Sequence, residues 1–547
     1  MNDAVNELRM QVMWTRLISV VEEAAQALMR TAFSTTVRDA GDLSAAVFDT
    51  QGRLVAEAVT GTPGHVNSMA EGVRHFLARF PIDSMAKGDH YITNDPWLTA
   101  GHLHDVTVVS PVVMDGRVVG LLGCCCHQLD IGGLGQGPDG RSIFEEGLQI
   151  PLLKLAAKGQ LNDDLMSIIK QNVRTPLQVE GDILSYIACN ETGARRLVAM
   201  LREFALADLD SLGDYILMQS LHATRARIAA LPKGSWQGEL VIDGYDKPIT
   251  LRATLTIREE GIEVDYAGTD AAVSQGINVV LNYCRAYTVY GLKCLIAPEV
   301  PNNYGALLPF IVNAPEGSIL NAQRPSPVAA RHVIGQMLPD LVFACLDQAL
   351  PGRVPAEGSS CLWSVQLRGS MQGRGFDTVF FNSGGAGARM SQDGLSATAF
   401  PSGVRAMPVE VSEHGAPIVI WRKELLPDSG GAGRQRGGLG QIVEVGTRDG
   451  SAFEVLAMYE RVANPARGRS GGQDGAAGTV ALASGASMRA KGLQQIPAGD
   501  RLVLKLPGGA GLGPAAERDP AAIAYDIAQG LISSAQAQAD YPQLNCP

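Results

Sequence analysis

Several sequence features that assign function in other proteins are missing from this chain. Glycine is never followed by lysine, which excludes the GxxxxGK(S/T) phosphate loop. No two cysteines have the CxxC spacing that is common in structural zinc sites. No apolar run approaches the roughly 18 residues of a membrane span, and no run of lysine and arginine offers a surface for nucleic acid. We therefore expect neither a P-loop ATP site nor a membrane or nucleic-acid partner.

Length and composition indicate a globular chain of several domains. Hydrophobic residues make up 46% of the 547 residues, and the net charge is −11. A single hydrophobic core stops growing well below this length, so we expect more than one domain. The first residues show neither the basic nor the apolar segment of a signal peptide. The nine cysteines are an odd number, and three are contiguous at 124–126. A reducing, cytoplasmic location is expected.

Hydrophobic periodicity predicts a mixed α+β fold with a helical N-terminal region and a glycine-rich, β-containing C-terminal half. The 62 glycines cluster, which indicates tight turns or close backbone approach rather than a flexible linker. The predicted domains are 1–235 (α/β), 236–360 (mixed α/β) and 361–515 (β-rich), followed by a helical segment, 516–547.

Individual elements follow from apolar spacing and turn residues. Residues 160–230 are expected to be mainly helical, with a break at Pro176, and Asp115-Gly116 is expected to close a hairpin. The other expected helices are 4–33, 67–79, 277–295, 326–349 and 520–539, and the expected strands are 43–49, 54–56, 106–113, 118–126, 251–257 and 262–266.

Four of the nine histidines lie close together in the sequence, at 90, 102, 104 and 127. Because a hairpin returns the chain to its starting end, His102 and Asp105 should lie near His127. Imidazole and carboxylate together form a ligand set suited to zinc, iron or manganese. The alternative is that these histidines belong to the core and that Asp105 caps a turn.

Two more residues are candidates for the same site. Asp42 opens an earlier predicted strand and could supply a second carboxylate. His65 follows a turn and precedes a helix, so it is either a site residue or a neighbour of the helix cap. Arg331 and His332, on a predicted helix, are interpreted as residues of an interface or of the edge of the core.

The loop over 428–438 contains five glycines and two arginines. Its freed backbone N–H groups, with Ser429, Arg434 and Arg436, could hold an anion such as a phosphate or carboxylate. A structural loop packed on a neighbouring protein chain explains the same residues equally well.

The order of motifs along nearly the whole chain resembles the hydantoinase B/oxoprolinase family. The matching segments are Asn94-Asp95-Pro96, His102 with Asp105-Val106-Thr107, His127 with Asp130-Ile131-Gly132-Gly133, Glu145-Glu146-Gly147, Asp265-Tyr266-Ala267-Gly268-Thr269, Pro301-Asn302-Asn303-Tyr304-Gly305, Asp428-Ser429-Gly430-Gly431 and Pro507-Gly508-Gly509.

The resemblance implies a division of labour between two subunits. A separate A-type subunit would bind ATP and phosphorylate the oxygen of a small-molecule substrate, and this B-type subunit would hold one divalent metal ion, Zn, Mn or Fe. The implied ligands are Asp42, His102, Asp105 and His127. The chain departs from many members at His104, where proline is common, and an extra imidazole there could support or replace a ligand. The candidate catalytic residues are Asp42, His65, His104 and Asp130.

Three functions are compatible with this resemblance. The first is an ATP-dependent amidohydrolase acting on a cyclic amide, namely a hydantoin, oxoproline or a lactam. The second is a subunit of an ATP-dependent ketone carboxylase, which would add a small third subunit. The third is a non-catalytic scaffold subunit.

Overall fold

The computed structural model describes residues 2–545 and contains four sheets with helices between and around them. The sheets have seven, four, four and four strands, most of them paired antiparallel. The mixed α+β fold class is thereby confirmed. None of the helices within the described range has the length and apolar character that a membrane crossing needs.

The N-terminal part is a seven-stranded sheet covered by helices on both faces, in the order β2-β1-β5-β4-β3-β6-β7. Its elements are α1 (Asn2–Thr31), α2 (Thr35–Arg38), β1 (Leu43–Phe48), β2 (Leu54–Glu57), α3 (Pro63–Arg79), β3 (His90–Thr93), β4 (Asp105–Met114), β5 (Arg117–His127), α4 (Ile143–Glu146), β6 (Leu153–Ala157), β7 (Gln160–Leu161), α5 (Asp163–Asn172), α6 (Pro176–Glu203) and α7 (Asp210–Ala229).

The three adjacent cysteines lie on β5, and their position explains why all three are buried. Cys124 and Cys126 pack into the core beneath α1 and α6, whereas Cys125 packs into the core beneath α3. Side chains on a strand alternate between faces, so three adjacent apolar residues serve two cores. The turn between β4 and β5 is formed by Asp115 (φ 50°) and Gly116 (φ 81°), as predicted.

The middle part places four strands against two long helices, in the order β11-β10-β9-β8. The elements are β8 (Gly234–Ile242), β9 (Ile249–Ile257), β10 (Ile262–Asp265), α8 (Leu281–Ile296), α9 (Tyr304–Leu307), β11 (Phe310–Asn313), α10 (His332–Gly335) and α11 (Leu338–Ala349). The expected single helix over 326–349 is wrong, because only α10 and α11 are helical there. Pro327 cannot donate a helical hydrogen bond, and the chain before residue 332 runs irregularly.

The C-terminal part contains two four-stranded sheets around one apolar core. Its elements are β12 (Trp363–Met371), β13 (Arg374–Asn382), α12 (Val409–Gly415), β14 (Ile418–Leu425), β15 (Gln441–Thr447), β16 (Phe453–Met458), β17 (Thr479–Leu482), β18 (Lys491–Ile496), β19 (Leu502–Lys505), α13 (Pro520–Ala528) and α14 (Ser534–Asp540). The last predicted helix is thus two helices. Gly530, with φ 68°, ends the first of them.

Glycine segments outside the strands form a layer held together by backbone contacts. Gly438 N donates to Ala386 O at 2.8 Å, Gly509 N donates to Gly438 O at 2.9 Å, and Gly431 N donates to Gly509 O at 2.9 Å. A Cβ atom on Gly437 would lie 1.9 Å from Gly509 O, closer than any real contact. The glycine clusters are therefore required by close backbone approach, as their spacing predicted.

Candidate metal centre

The candidate centre lies at the open end of the β4–β5 hairpin. Asp105, the first residue of β4, pairs across the ladder with His127, the last residue of β5. His102 lies in the turn before β4, and one ligand atom from each of these three buried residues lies within 4.8 Å of the others. They line a cavity of about 30 Å³. The proximity of His102, Asp105 and His127 that the hairpin predicted is therefore confirmed.

Asp105 is the centre of the cluster and is fully buried. Its Oδ1 lies 2.7 Å from His102 Nε2 and 3.1 Å from His127 Nδ1. Its Oδ2 lies 3.0 Å from His65 Nε2 and accepts a hydrogen bond from Arg331. Burial alone would raise the pKa of Asp105, but His102, His65 and Arg331 together hold that pKa well below its usual value. The carboxylate is therefore ionised.

A backbone contact fixes the tautomer of His102. Its Nδ1 lies 2.9 Å from Ala329 O, an acceptor, so Nδ1 carries the proton and Nε2 carries the lone pair. Nε2 lies 2.7 Å from Asp105 Oδ1 and contacts no other polar group of the described chain. Burial and the charge of Arg331 lower the pKa of His102 to about 4. A neutral imidazole oriented by a carbonyl is the form in which histidine binds metals.

Asp42 and His65 lie beside this cluster. Asp42 O accepts a hydrogen bond from His127 N at 3.1 Å, and Asp42 Oδ1 lies 3.7 Å from His65 Nε2. Burial raises the pKa of Asp42, against the opposing charge of His65. Burial acts to lower the pKa of His65, but Asp105 and Asp42 outweigh it, and the pKa is raised. His65 is in the first turn of α3, which begins four residues earlier than predicted.

His104 and His332 enlarge the group of buried imidazoles. The ring of His104 is stacked on that of His127, with centroids 5.5 Å apart and planes at 12°. Neither ring nitrogen of His104 or of His332 has a hydrogen-bond partner. Burial, followed by the charges of neighbouring residues, lowers the pKa of both side chains well below the usual value. Both rings are therefore neutral.

The other predicted site residues have contacts of their own, and their catalytic or anion-binding roles stay predictions. Those contacts are Asp130 Oδ1 with Arg174 Nη1 at 2.8 Å, Ser429 Oγ with Leu426 O at 2.6 Å, Arg434 Nη1 with Glu517 Oε2 at 3.4 Å, and Arg436 Nε with Asp526 Oδ2 at 3.1 Å.

Arg331 was misjudged from the sequence. It is buried at the centre of the cluster rather than at an interface: it donates to Asp105, and its Nε donates to Ala100 O at 2.6 Å. Its guanidinium carbon lies 3.9 Å from the centre of the Tyr283 ring. The sequence does indicate this burial, because Arg331 stands inside an otherwise apolar stretch, and a buried arginine needs a buried partner.

The residues fit a divalent cation. Two imidazoles and one ionised carboxylate converge on a buried point, and His102 Nε2 contacts no polar group of the described chain other than Asp105. Mixed nitrogen and oxygen ligands of this type suit zinc, manganese and iron. The three side chains therefore form a possible metal-binding triad.

Comparison with known proteins identifies the family of the chain. The family model for hydantoinase B/oxoprolinase matches residues 6–515, and the chain belongs to that family. A relative from Pseudomonas sp. (strain NS671), provisionally named as the B-type subunit of a D-/L-hydantoinase, is 28% identical over 568 residues, which covers 98% of this chain and 95% of that one. The beta subunit of caprolactamase from Pseudomonas jessenii is 27% identical over 574 residues, which covers 98% of this chain and 96% of that one.

Two solved structures share the fold. ATP-dependent caprolactamase from Pseudomonas jessenii superposes with a TM-score of 0.88 at 24% identity, over 98% of this chain and 96% of that one. Acetone carboxylase superposes with a TM-score of 0.86 at 20% identity, over 98% of this chain and 79% of that one. At these identities the likeness concerns the fold alone.

Proposed function

We propose that this chain is the metal-site subunit of an ATP-dependent amidohydrolase acting on a cyclic amide. The observation that carries the proposal is the buried His102, Asp105 and His127 cluster in a chain of the hydantoinase B/oxoprolinase family. An amide is a poor electrophile, and phosphorylation of its oxygen creates a leaving group. A bound divalent ion would supply Lewis acidity toward the activated carbon and lower the pKa of water.

The side chains divide this work by position. His102, Asp105 and His127 would hold the ion, with Asp42 as a further carboxylate ligand at its side. His65 lies between the Asp105 and Asp42 carboxylates and can hold a proton there. Arg331 and Ala329 O are positioning groups, because Arg331 donates to Asp105 and Ala329 O accepts from His102 Nδ1.

The proposal includes a separate ATP-binding A-type partner in the cytoplasm. It is supported by the absence of a P-loop in the sequence and by the relatives whose names describe one subunit of a hydantoinase and of a caprolactamase. The eight cysteines that the structure describes are all free, as a reducing compartment would keep them. Purification of the same complex tests whether it also contains a small third subunit.

The test is substrate-stimulated phosphate release by the complex with the A-type subunit. Hydantoins, 5-oxoproline, lactams and small ketones are compared, each with and without bicarbonate. We expect a cyclic amide to stimulate phosphate release without bicarbonate and to be opened stoichiometrically. Stimulation by a ketone that requires bicarbonate would replace this proposal with a carboxylase. Full turnover by a complex in which His102 is replaced by alanine would leave only a scaffold role.

A further inference from the structure

A second, larger cavity lies beside the candidate metal centre. Its volume is about 580 Å³, which is in the range of small-molecule binding sites. Its walls come from α1, the end of β2, the start of α3, α8 and the loop after α8. Thr62 lines both this cavity and the small one at the His/Asp cluster.

The wall between the two cavities is thin. Residues 61–63 line the large cavity, and the next two residues, 64 and 65, line the small one. On the other side Gly403 lines the large cavity, and its two neighbours line the small one. A Cβ atom on Gly403 would lie 3.0 Å from Gly61 O, so the two segments touch through backbone. A ligand in the large cavity would therefore lie next to the cluster.

Four polar side chains converge on one side of the large cavity. Asn302 Nδ2 donates to Glu57 Oε2 at 2.8 Å and to Asn67 Oδ1 at 2.7 Å. Lys293 Nζ donates to Val300 O at 2.8 Å, and the side chain is only 8% exposed. An ammonium group has three donors, so Lys293 can donate to a ligand as well.

The charges of this cluster offset each other. Lys293 is the only cation and Glu57 the only anion among the lining residues of the described chain. Burial raises the pKa of Glu57 to about 7, opposed by Asn302 and by the charge of Lys293. Burial also lowers the pKa of Lys293, opposed by the charge of Glu57. When Glu57 is ionised and Lys293 is protonated, the pair carries no net charge. Most of the other lining side chains are apolar, among them Trp14, Ile18, Val55, Val66, Val300 and the prolines at 298 and 301.

We propose that this cavity binds the ring of a small uncharged cyclic amide and disfavours rings that carry a carboxylate. An amide presents a carbonyl acceptor beside an N–H donor, and Lys293 with Glu57 presents the complementary donor and acceptor. A carboxylate on the ring would be repelled by the ionised Glu57 in a largely desolvated site. The inference rests on the proposed function and names its substrate class as neutral lactams or hydantoins.

The test uses two ligands with the same five-membered lactam ring, 2-pyrrolidinone and 5-oxoproline, which differ by one carboxylate. Binding to the full chain is measured at pH 8 by ligand-observed NMR titration. We expect 2-pyrrolidinone to bind at least about tenfold more tightly. In Glu57→Gln, Lys293 has no opposing charge, and the preference should shift toward 5-oxoproline by a similar factor. Glu71→Gln is the control, since Glu71 is an exposed residue of α3 that lines another pocket.

A second variant guards against a folding defect in Glu57→Gln. Val59 is 85% exposed at the edge of the cavity, so the fold should tolerate Val59→Trp, and the larger side chain should narrow the entrance and weaken 2-pyrrolidinone binding while metal content stays unchanged. The inference would be overturned if both rings bound equally or if neither ring bound. It would also be overturned if a folded Glu57→Gln chain kept the wild-type preference. If the complex opens cyclic amides in any of those cases, only the cavity assignment falls. If lactam binding follows expectation but no cyclic amide is opened, only the proposed reaction falls.

Discussion

Arg331 and Asp105, 226 residues apart in the sequence, form a buried ion pair at the centre of the candidate metal site. Neither side chain has more than 4% exposure, so the pair is screened little by water. His102 and His127 approach the other carboxylate oxygen of Asp105. The guanidinium is thus the fixed cation that makes a buried carboxylate tolerable when no other cation is bound.

We expect Arg331→Met to destabilise the metal-free chain by about 3–5 kcal/mol, because it leaves Asp105 buried without its cation. A bound divalent ion would replace much of the lost charge, so the loss should be smaller after metal loading. The melting temperature is measured with a chelator and with Zn, Mn or Fe. An equal loss in both conditions would contradict the role assigned to this pair.

The control for that variant is Arg324→Met. Arg324 also lies over an aromatic ring, that of Trp97 at 4.4 Å, and pairs with a carboxylate, Asp95. Its side chain is 45% exposed, however, and exposed pairs contribute at most about 1 kcal/mol. Its melting temperature should change little with or without metal.

His102→Ala is expected to remove most of the bound metal, because it deletes the imidazole whose tautomer Ala329 O sets. Metal content per chain is measured by elemental analysis after dialysis. His90→Ala provides the comparison, since His90 is equally buried but contacts Ser110 Oγ at 2.7 Å, outside the triad. A folded His102→Ala chain with a full complement of metal would rule out the triad as the binding site.

Glu146 should make stability fall as pH rises. Its Oε1 accepts hydrogen bonds from Val328 N and Ala329 N at 2.7 and 2.8 Å, and burial raises its pKa to about 8. Between pH 4.5, the pKa of Glu146 in the unfolded chain, and about pH 8, Glu146 is protonated in the folded chain but ionised in the unfolded chain. Its contribution to the free energy of unfolding therefore declines by up to about 1.4 kcal/mol per pH unit over this range.

Glu146→Gln mimics the protonated form and removes that decline. Its melting temperature should therefore rise relative to the wild type from pH 5 to 8 and level off above 8. Glu145→Gln, at an exposed neighbouring position, should follow the wild-type curve. A constant difference between Glu146→Gln and the wild type across this range would show that Glu146 is ionised in the fold.

Gly437→Ala should cost at least about 3 kcal/mol, because the new methyl group would lie 1.9 Å from Gly509 O in a layer that cannot expand. Thermal unfolding and soluble yield measure the loss. Gly415→Ala is the matched control, since a Cβ there meets nothing within 4 Å. Comparable melting temperatures for the two variants would mean that the layer can separate.

The sequence predicted those parts of the site that are set by local geometry. Asp115 and Gly116 form a tight turn, and this turn together with a β-bulge between Val112 and Val113 sets the register that pairs Asp105 with His127. His102 lies three residues before Asp105, so its proximity follows from the same hairpin. Asp42 was a candidate from its position before β1 and was also implied as a ligand by the family resemblance, and it lies near His65 in the structure. The division into domains stays a prediction.

Contacts between distant segments could not be predicted in this way. Arg331 meets Asp105 only after the middle part packs on the first sheet, and no periodicity in either segment encodes that packing. The helix expected over 326–349 failed for a related reason. Tertiary contacts of residues 328–331 with Glu146 and Asp105 stabilise an irregular backbone where the local pattern favours a helix.

The glycine layer limits which substitutions this protein can accumulate during evolution. In this layer, Gly437 contacts the backbone of another glycine, Gly509. A larger residue on one side could be accommodated only by a smaller residue on the other side, and no residue is smaller than glycine. In an ordinary core, a substitution to a larger residue can be compensated by a substitution to a smaller one nearby. Gly437 and Gly509 cannot change in this paired way. Divergence within this fold must be confined to the helices, the strand faces and the cavity walls, while the layer stays as it is.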